Sequence, residues 1–194
     1  MHEMIKKARA FAQKAHNVQT YGNGGVYPYY KHCEDVEGVL RRFGFTEEKD
    51  LDILVSSWLH DTLEDTNNSY NDVKKEFDIN IAEIVYCVTD EMGRNRKEKK
   101  EKTLPKIRSN PKSVILKVAD RIANVEFGIS EGSSFVDMYR KEHPDFQYQL
   151  RIYRQIDAMW EHLEKILFGE PVLSNKTYRS IDLLRPSRLE EKGA

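Results

Sequence analysis

Apolar residues recur three and four positions apart along most of the chain, the spacing that puts side chains on one face of an α-helix. Met4, Ala8, Phe11 and Ala15 form the first such stripe, and Val36, Val39, Leu40 and Phe43 the second. Leu51, Leu54, Val55, Trp58 and Leu59 follow, then Ile81, Ile84, Val85 and Val88. Ile115, Val118, Ala119, Ile122 and Val125 make another, and Leu150, Tyr153, Ile156, Trp160, Leu163 and Leu167 the last. Strand-like alternation is nearly absent. The pattern predicts an all-α, single-domain helical bundle of about eight helices of ordinary length. The punctuation agrees: a glycine-rich loop at Gly22-Asn23-Gly24-Gly25, a break at Gly44 and Thr46, and a helix start at Asn110-Pro111. From Glu170 to Ala194 the periodicity fades and Pro171 and Pro186 appear, so residues 1–169 are expected to form the domain and 170–194 a C-terminal tail.

Composition narrows the class. A chain of 194 residues suits one domain, 39% hydrophobic and 32% charged residues describe an ordinary soluble globular protein, and a net charge of -1 argues against nucleic acid as a partner. Cys33 and Cys87 are too few and too far apart for a disulfide framework or a paired-cysteine zinc site, which points to a reducing, cytoplasmic compartment. The first residues, MHEMIKKARAFAQKAH, carry charge throughout and hold no apolar run fit for a signal or a membrane span. Homo-oligomer formation is left open.

The chemistry is concentrated in Val55-Ser-Ser-Trp-Leu-His60-Asp61-Thr-Leu-Glu64-Asp65-Thr66, an apolar helix that abruptly presents four ionisable groups. In a continuous helix His60 stands over Glu64 and Asp61 over Asp65, giving two adjacent columns of ligand-type and proton-accepting side chains. A divalent cation wants more oxygen and imidazole ligands than these, with positions left open. Two further candidates are His32, shortly after Pro28-Tyr29, and Asp120, set within the apolar run from Val114 to Ala123, where a charge needs a partner or a cation. Taken singly, each has a plain structural explanation: a satisfied surface histidine, an ion pair of Asp120 with Lys117 or Arg121, a solvated helix end at Glu64 and Asp65. His16 and His162 read as structural histidines. Together and in this order, the costly groups favour a metal site.

The motifs Ala12-Gln-Lys-Ala-His16 with Gln19, Pro28-Tyr29 with His32, Leu59-His60-Asp61 with Glu64-Asp65-Thr66, Val88-Thr89-Asp90, and Leu116-Lys117-Val118-Ala119-Asp120-Arg121 with Asn124 resemble the HD superfamily, and within it the hydrolase domain of RelA/SpoT alarmone enzymes. The resemblance runs from about Ala8 to Glu126. It implies an HD-type helical fold and removal of the 3′-diphosphate from guanosine 3′,5′-bis(diphosphate), the alarmone of the stringent response, or from its pentaphosphate relative, with release of pyrophosphate. It implies Mn2+ or another divalent metal held by His32, His60, Asp61 and Asp120. Glu64 and Asp65 match the pair that handles the attacking water, and Asn124 matches a substrate contact. With no synthetase half in the sequence, the chain resembles a stand-alone small alarmone hydrolase.

The chain departs from that pattern at two positions. Where alarmone hydrolases carry an arginine that packs on guanine, eleven residues before the metal histidine, this chain has Tyr21, which can stack on a base but lacks the guanidinium donors. The proline usual after that histidine is Cys33. An adenosine alarmone, a nucleoside monophosphate or a phosphorylated cofactor therefore stays open as substrate, as does a non-catalytic alarmone-binding or antitoxin role. The densest basic stretch, Arg94 to Lys102, reads equally as a solvated helix face and as a phosphate-binding segment. Arg96 and Lys97 in it, Lys117 before Asp120, and Lys141 in Met138-Tyr-Arg-Lys-Glu142 are the expected substrate contacts beside Tyr21 and Asn124; Met138 to Glu142 itself reads first as a short connector helix.

Overall fold

A computed structural model describes residues 1–169. Among them the chain forms α1 (Glu3–Ala15), a hairpin of β1 (Thr20–Tyr21) and β2 (Tyr27–Pro28), α2 (Tyr30–Arg42), α3 (Leu51–Leu59), α4 (Thr62–Asp65), α5 (Tyr70–Glu76), α6 (Ile79–Val88), α7 (Arg96–Arg108), α8 (Pro111–Ser130), α9 (Phe135–Leu150) and α10 (Asp157–Phe168). The all-α reading holds, with short α4 and α5 added to the expected set. The tail expected from residue 170 lies outside the described residues.

α8 is the axis of the bundle and packs against α2, α3, α6, α7, α9 and α10. Its start is set by local chemistry: Pro111 opens the first turn, and the Asn110 side chain accepts from the backbone N–H groups of Lys112 and Ser113. Its apolar stripe, including Leu116, Val118, Ala119 and Ile122, is wholly buried. The Leu, Val and Ile side chains each stabilise by about 1.5–3 kcal/mol on burial, so packing fixes the rotation of α8 and with it every polar group the helix carries. α3 is buried from Ile53 to Leu59 and packs on α1, α2 and α6. The indole N–H of Trp58 donates to Glu37 Oε2 at 2.6 Å and ties α3 to α2.

Four details differ from the sequence pattern. The expected continuous helix through His60 and Asp61 is broken there, because the hydroxyl of Thr62 donates to the Leu59 carbonyl at 2.6 Å and occupies an acceptor that a continuing helix would use. The stripe from Leu150 to Leu167 is divided: Leu150 ends α9, and Ile156 precedes α10. Met138 to Glu142 belong to the 16-residue α9 rather than to a short connector. The hairpin was invisible because two-residue strands are too short to show alternation.

A candidate metal centre

Three elements bring costly side chains to one point. His32 sits in the first turn of α2, His60 and Asp61 occupy the break between α3 and α4, and Asp120 lies in the middle of α8. His32 is 2% exposed, His60 1% and Asp120 7%, so these polar groups have given up water and need compensation from one another. His32 Nε2 lies 3.1 Å from His60 Nε2. Asp61 Oδ2 lies 3.0 Å from His60 Nε2 and 3.7 Å from His32 Nε2. Asp120 Oδ1 closes the group at 3.2 Å from His32 Nε2 and 3.9 Å from His60 Nε2. One atom from each of His32, His60 and Asp61 falls within 4.8 Å of the other two, a spacing that suits a metal ion.

The donor set fits a divalent cation. His60 Nδ1 is 2.8 Å from the Ser57 carbonyl, an acceptor, so Nδ1 carries the proton and Nε2 turns its lone pair toward the cluster. Two Nε2 atoms facing each other among carboxylate oxygens call for positive charge between them, as a shared proton or as a cation. The electrostatics have the same sign. Burial works against charge on His60, yet Asp61 and Asp120 lift its pKa to about 9. Burial pushes both aspartates up, yet His60 and His32 hold Asp61 below its ordinary value, and Lys117 with the histidines does so for Asp120. Lys117 stands one turn before Asp120 and meets its Oδ2 at 2.9 Å; despite burial, the surrounding aspartates hold it charged.

The acidic pair is anchored on its two sides. Glu64 Oε2 accepts from the backbone N–H of Asp90 at 3.0 Å, and partial burial, helped by the charges of Asp90 and Asp61, moves its carboxyl above the ordinary value. Asp65 Oδ2 accepts from Gln19 Nε2 at 3.0 Å. With the helix broken at His60, the expected two columns are replaced by a corner with Asp61 at its turn.

Of the expected substrate contacts, Tyr21, Asn124 and Lys117 meet beside Asp120. Asn124 Nδ2 donates to Asp120 Oδ1 at 2.5 Å, and the Tyr21 hydroxyl donates to Asn124 Oδ1 at 3.4 Å. The Tyr21 ring lies on Phe127 with centroids 4.3 Å apart. Arg96 is placed elsewhere, where α7 meets α9: its Nε donates to Glu142 at 2.6 Å, and Lys100 and Arg121 converge on the same carboxylate. Lys97 is 87% exposed and faces Glu101 at 3.8 Å, and Lys141 is exposed on α9. Sequence reasoning gave no site role to Tyr29, whose hydroxyl donates to Asp61 Oδ2 at 2.6 Å, and read His16, whose Nδ1 lies 2.7 Å from Gln19 Oε1, as a structural histidine. Asp61 lies 32 residues from Tyr29, beyond the reach of any spacing rule, whereas Gln19 is only three residues from His16.

Residues 8–142 match the family model described as HD domain. The chain is 31% identical over 129 residues to a guanosine-3′,5′-bis(diphosphate) 3′-pyrophosphohydrolase of Aquifex aeolicus, covering 64% of this chain and 18% of that protein. It is 27% identical over 116 residues to the guanosine-3′,5′-bis(diphosphate) 3′-pyrophosphohydrolase MESH1 of Danio rerio, covering 59% of this chain and 63% of that protein. The chain thus spans less than two thirds of either relative. Among solved structures, a metazoan ortholog of SpoT described as hydrolysing ppGpp superimposes with a TM-score of 0.74, covering 87% of this chain and 98% of the other. At 20% identity that likeness is one of fold.

Proposed function

The chain belongs to the HD domain family, and on that premise we propose that it is a manganese-dependent hydrolase that removes the 3′-diphosphate of guanosine 3′,5′-bis(diphosphate) and its pentaphosphate relative as pyrophosphate. The observation that carries the proposal is the convergence of His32, His60, Asp61 and Asp120 on one point from three separate elements. The substrate class rests on relatives whose names state this reaction.

In this reading His32, His60, Asp61 and Asp120 hold the cation. The chemistry that a divalent cation supplies in such a site is activation of water and polarisation of a phosphoryl oxygen. Glu64 and Asp65, at the corner beyond Asp61, orient the water and take its proton as its oxygen bonds to the inner phosphorus of the 3′-diphosphate. The bond from that phosphorus to the ribose 3′ oxygen breaks; the oxygen leaves with a proton, and the products are pyrophosphate and guanosine 5′-diphosphate, or the 5′-triphosphate from the pentaphosphate, with a free 3′-hydroxyl. Tyr21, on its Phe127 support, offers a face for the base, Asn124 and Lys117 border the reacting phosphate, and Arg96, Lys97 and Lys141 supply cations for the remaining phosphates.

The test is product analysis by ion-exchange chromatography with guanosine and adenosine 3′-diphosphates and ordinary nucleotides, in manganese and in chelator. Pyrophosphate from the guanosine 3′-diphosphates, lost in chelator, is expected, and Glu64→Gln is expected to lower kcat by about 10²-fold while manganese stays bound. Release of orthophosphate alone, or turnover unaffected by chelator, would refute the reading.

A further inference from the structure

Beyond Tyr21, the hairpin ahead of α2 has no assigned part in the site, yet two of its flanking side chains end on the two carboxylates that the proposed chemistry relies on most. Its ends are held together by the backbone: Tyr29 N–H donates to the Gln19 carbonyl at 3.0 Å, and Gln19 N–H donates to the His16 carbonyl at 3.0 Å. The His16 ring stacks on the Tyr29 ring with centroids 4.6 Å apart and 27° between planes. His16, Gln19 and Tyr29 therefore form one unit, fixed by main-chain bonds and by a ring stack.

Two hydrogen bonds leave that unit. The Tyr29 hydroxyl donates to Asp61 Oδ2, the oxygen that faces both histidines. Gln19 Nε2 donates to Asp65 Oδ2. The direction of the second chain is determined by its end: an ionised carboxylate only accepts, so the amide turns its NH2 to Asp65 and its oxygen to His16, and His16 answers with a proton on Nδ1. The other ring nitrogen, His16 Nε2, is buried and meets no partner among the described residues, in keeping with a neutral ring whose one proton is already committed. An aspartate carboxylate left to itself turns broadly about its last torsion, so a donor on one oxygen selects which oxygen faces the site.

We propose that Tyr29 and Gln19 are positioning residues, Tyr29 for the cation-facing oxygen of Asp61 and Gln19 for the water-facing oxygen of Asp65, with His16 fixing the amide of Gln19. The proposal rests on the reading of Asp61 as ligand and Asp65 as partner of water, and it divides the hairpin's work between metal binding and turnover.

The experiment separates the two. Manganese affinity is measured by calorimetric titration, and kcat and KM for the guanosine 3′-diphosphate are measured at saturating manganese, on the full chain and on Tyr29→Phe and Gln19→Ala. Tyr29→Phe keeps the ring stack and removes one donor; it is expected to weaken manganese binding about tenfold, with kcat at saturating metal nearly preserved. Gln19→Ala is expected to lower kcat about tenfold with KM and manganese affinity unchanged. Manganese binding by Tyr29→Phe as tight as in the parent overturns the first half, and an unchanged kcat in Gln19→Ala overturns the second. A parallel loss of melting temperature, metal affinity and KM in both variants overturns both, since a merely structural hairpin predicts that result. A parent without turnover on any phosphorylated nucleotide ends the hydrolase reading and the Gln19 half with it, whereas the titration still decides the Tyr29 half.

Discussion

Two neighbouring regions of the bundle hold opposite surpluses of charge. Around His32 and His60, the carboxylates of Asp61 and Asp120 gather beside one ammonium among the described residues, that of Lys117. Where α7, α8 and α9 meet, the cations of Arg96, Lys100 and Arg121 share the carboxylate of Glu142. The first region balances its carboxylates only with Lys117 and a proton on His60, a place that a cation can take; the second holds more cations than carboxylates. Burial sharpens both: Arg121 is 5% exposed and lies over the Tyr139 and Phe146 rings at 4.6 and 4.1 Å, and burial with the neighbouring Arg121 and Arg96 charges draws the Lys100 pKa down to about 8. The contrast teaches that fold and chemistry use the same helix. Asp120 and Arg121 are consecutive on α8, and one faces each surplus.

The largest effect is expected at the acidic end. Asp120→Ala leaves Lys117 without its carboxylate and removes an oxygen from the cluster, so manganese binding by calorimetry and pyrophosphate release should both fall to background. Retained manganese binding would erase the contrast. At the basic end, Glu142→Gln leaves Arg96, Lys100 and Arg121 facing one another; a loss of about 1–3 kcal/mol in urea unfolding is expected, with manganese affinity unchanged. Arg96→Ala should raise KM several-fold, by about 1 kcal/mol, and weaken its salt dependence, with kcat at saturation preserved; steady-state kinetics across ionic strength checks this. Lys97→Ala should do least, within about twofold in KM, because its exposed pair with Glu101 is worth little and its charge is screened. A larger loss at Lys97 than at Arg96 would show that substrate follows the outer face of α7 rather than the cleft against α9.

The parts of this arrangement that the sequence exposed are those where a residue contradicts its own surroundings. Asp120 inside the apolar run of α8, and His60-Asp61 after Trp58-Leu59, announce themselves because a charge among aliphatic side chains needs compensation. The helical class followed from the helical spacing of apolar residues, although α3 is buried on every face from Ile53 to Leu59 rather than along one stripe. The break at His60 was hidden because Thr62 and Leu63 prolong the helical rhythm, and only the Thr62 hydroxyl at the Leu59 carbonyl reveals the stop. The division at residues 151–156 was hidden in the same way, by apolar residues that keep spacing across a loop. Tyr29 at Asp61 and Gln19 at Asp65 join positions 32 and 46 residues apart, and such pairings belong to the tertiary fold alone.

The adjacency of Asp120 and Arg121 has a mechanical consequence. An α-helix turns about 100° per residue, so adding or deleting one residue of α8 ahead of Asp120 would rotate both side chains away from their sites in a single stroke. Lys117 and Asn124, which flank Asp120 on its own face, would separate as well, since one would turn and the other would not, depending on where the insertion fell. The two charge surpluses are geared to one shaft: point substitutions can tune either of them, but a change of length in α8 cannot reach one without disengaging the other.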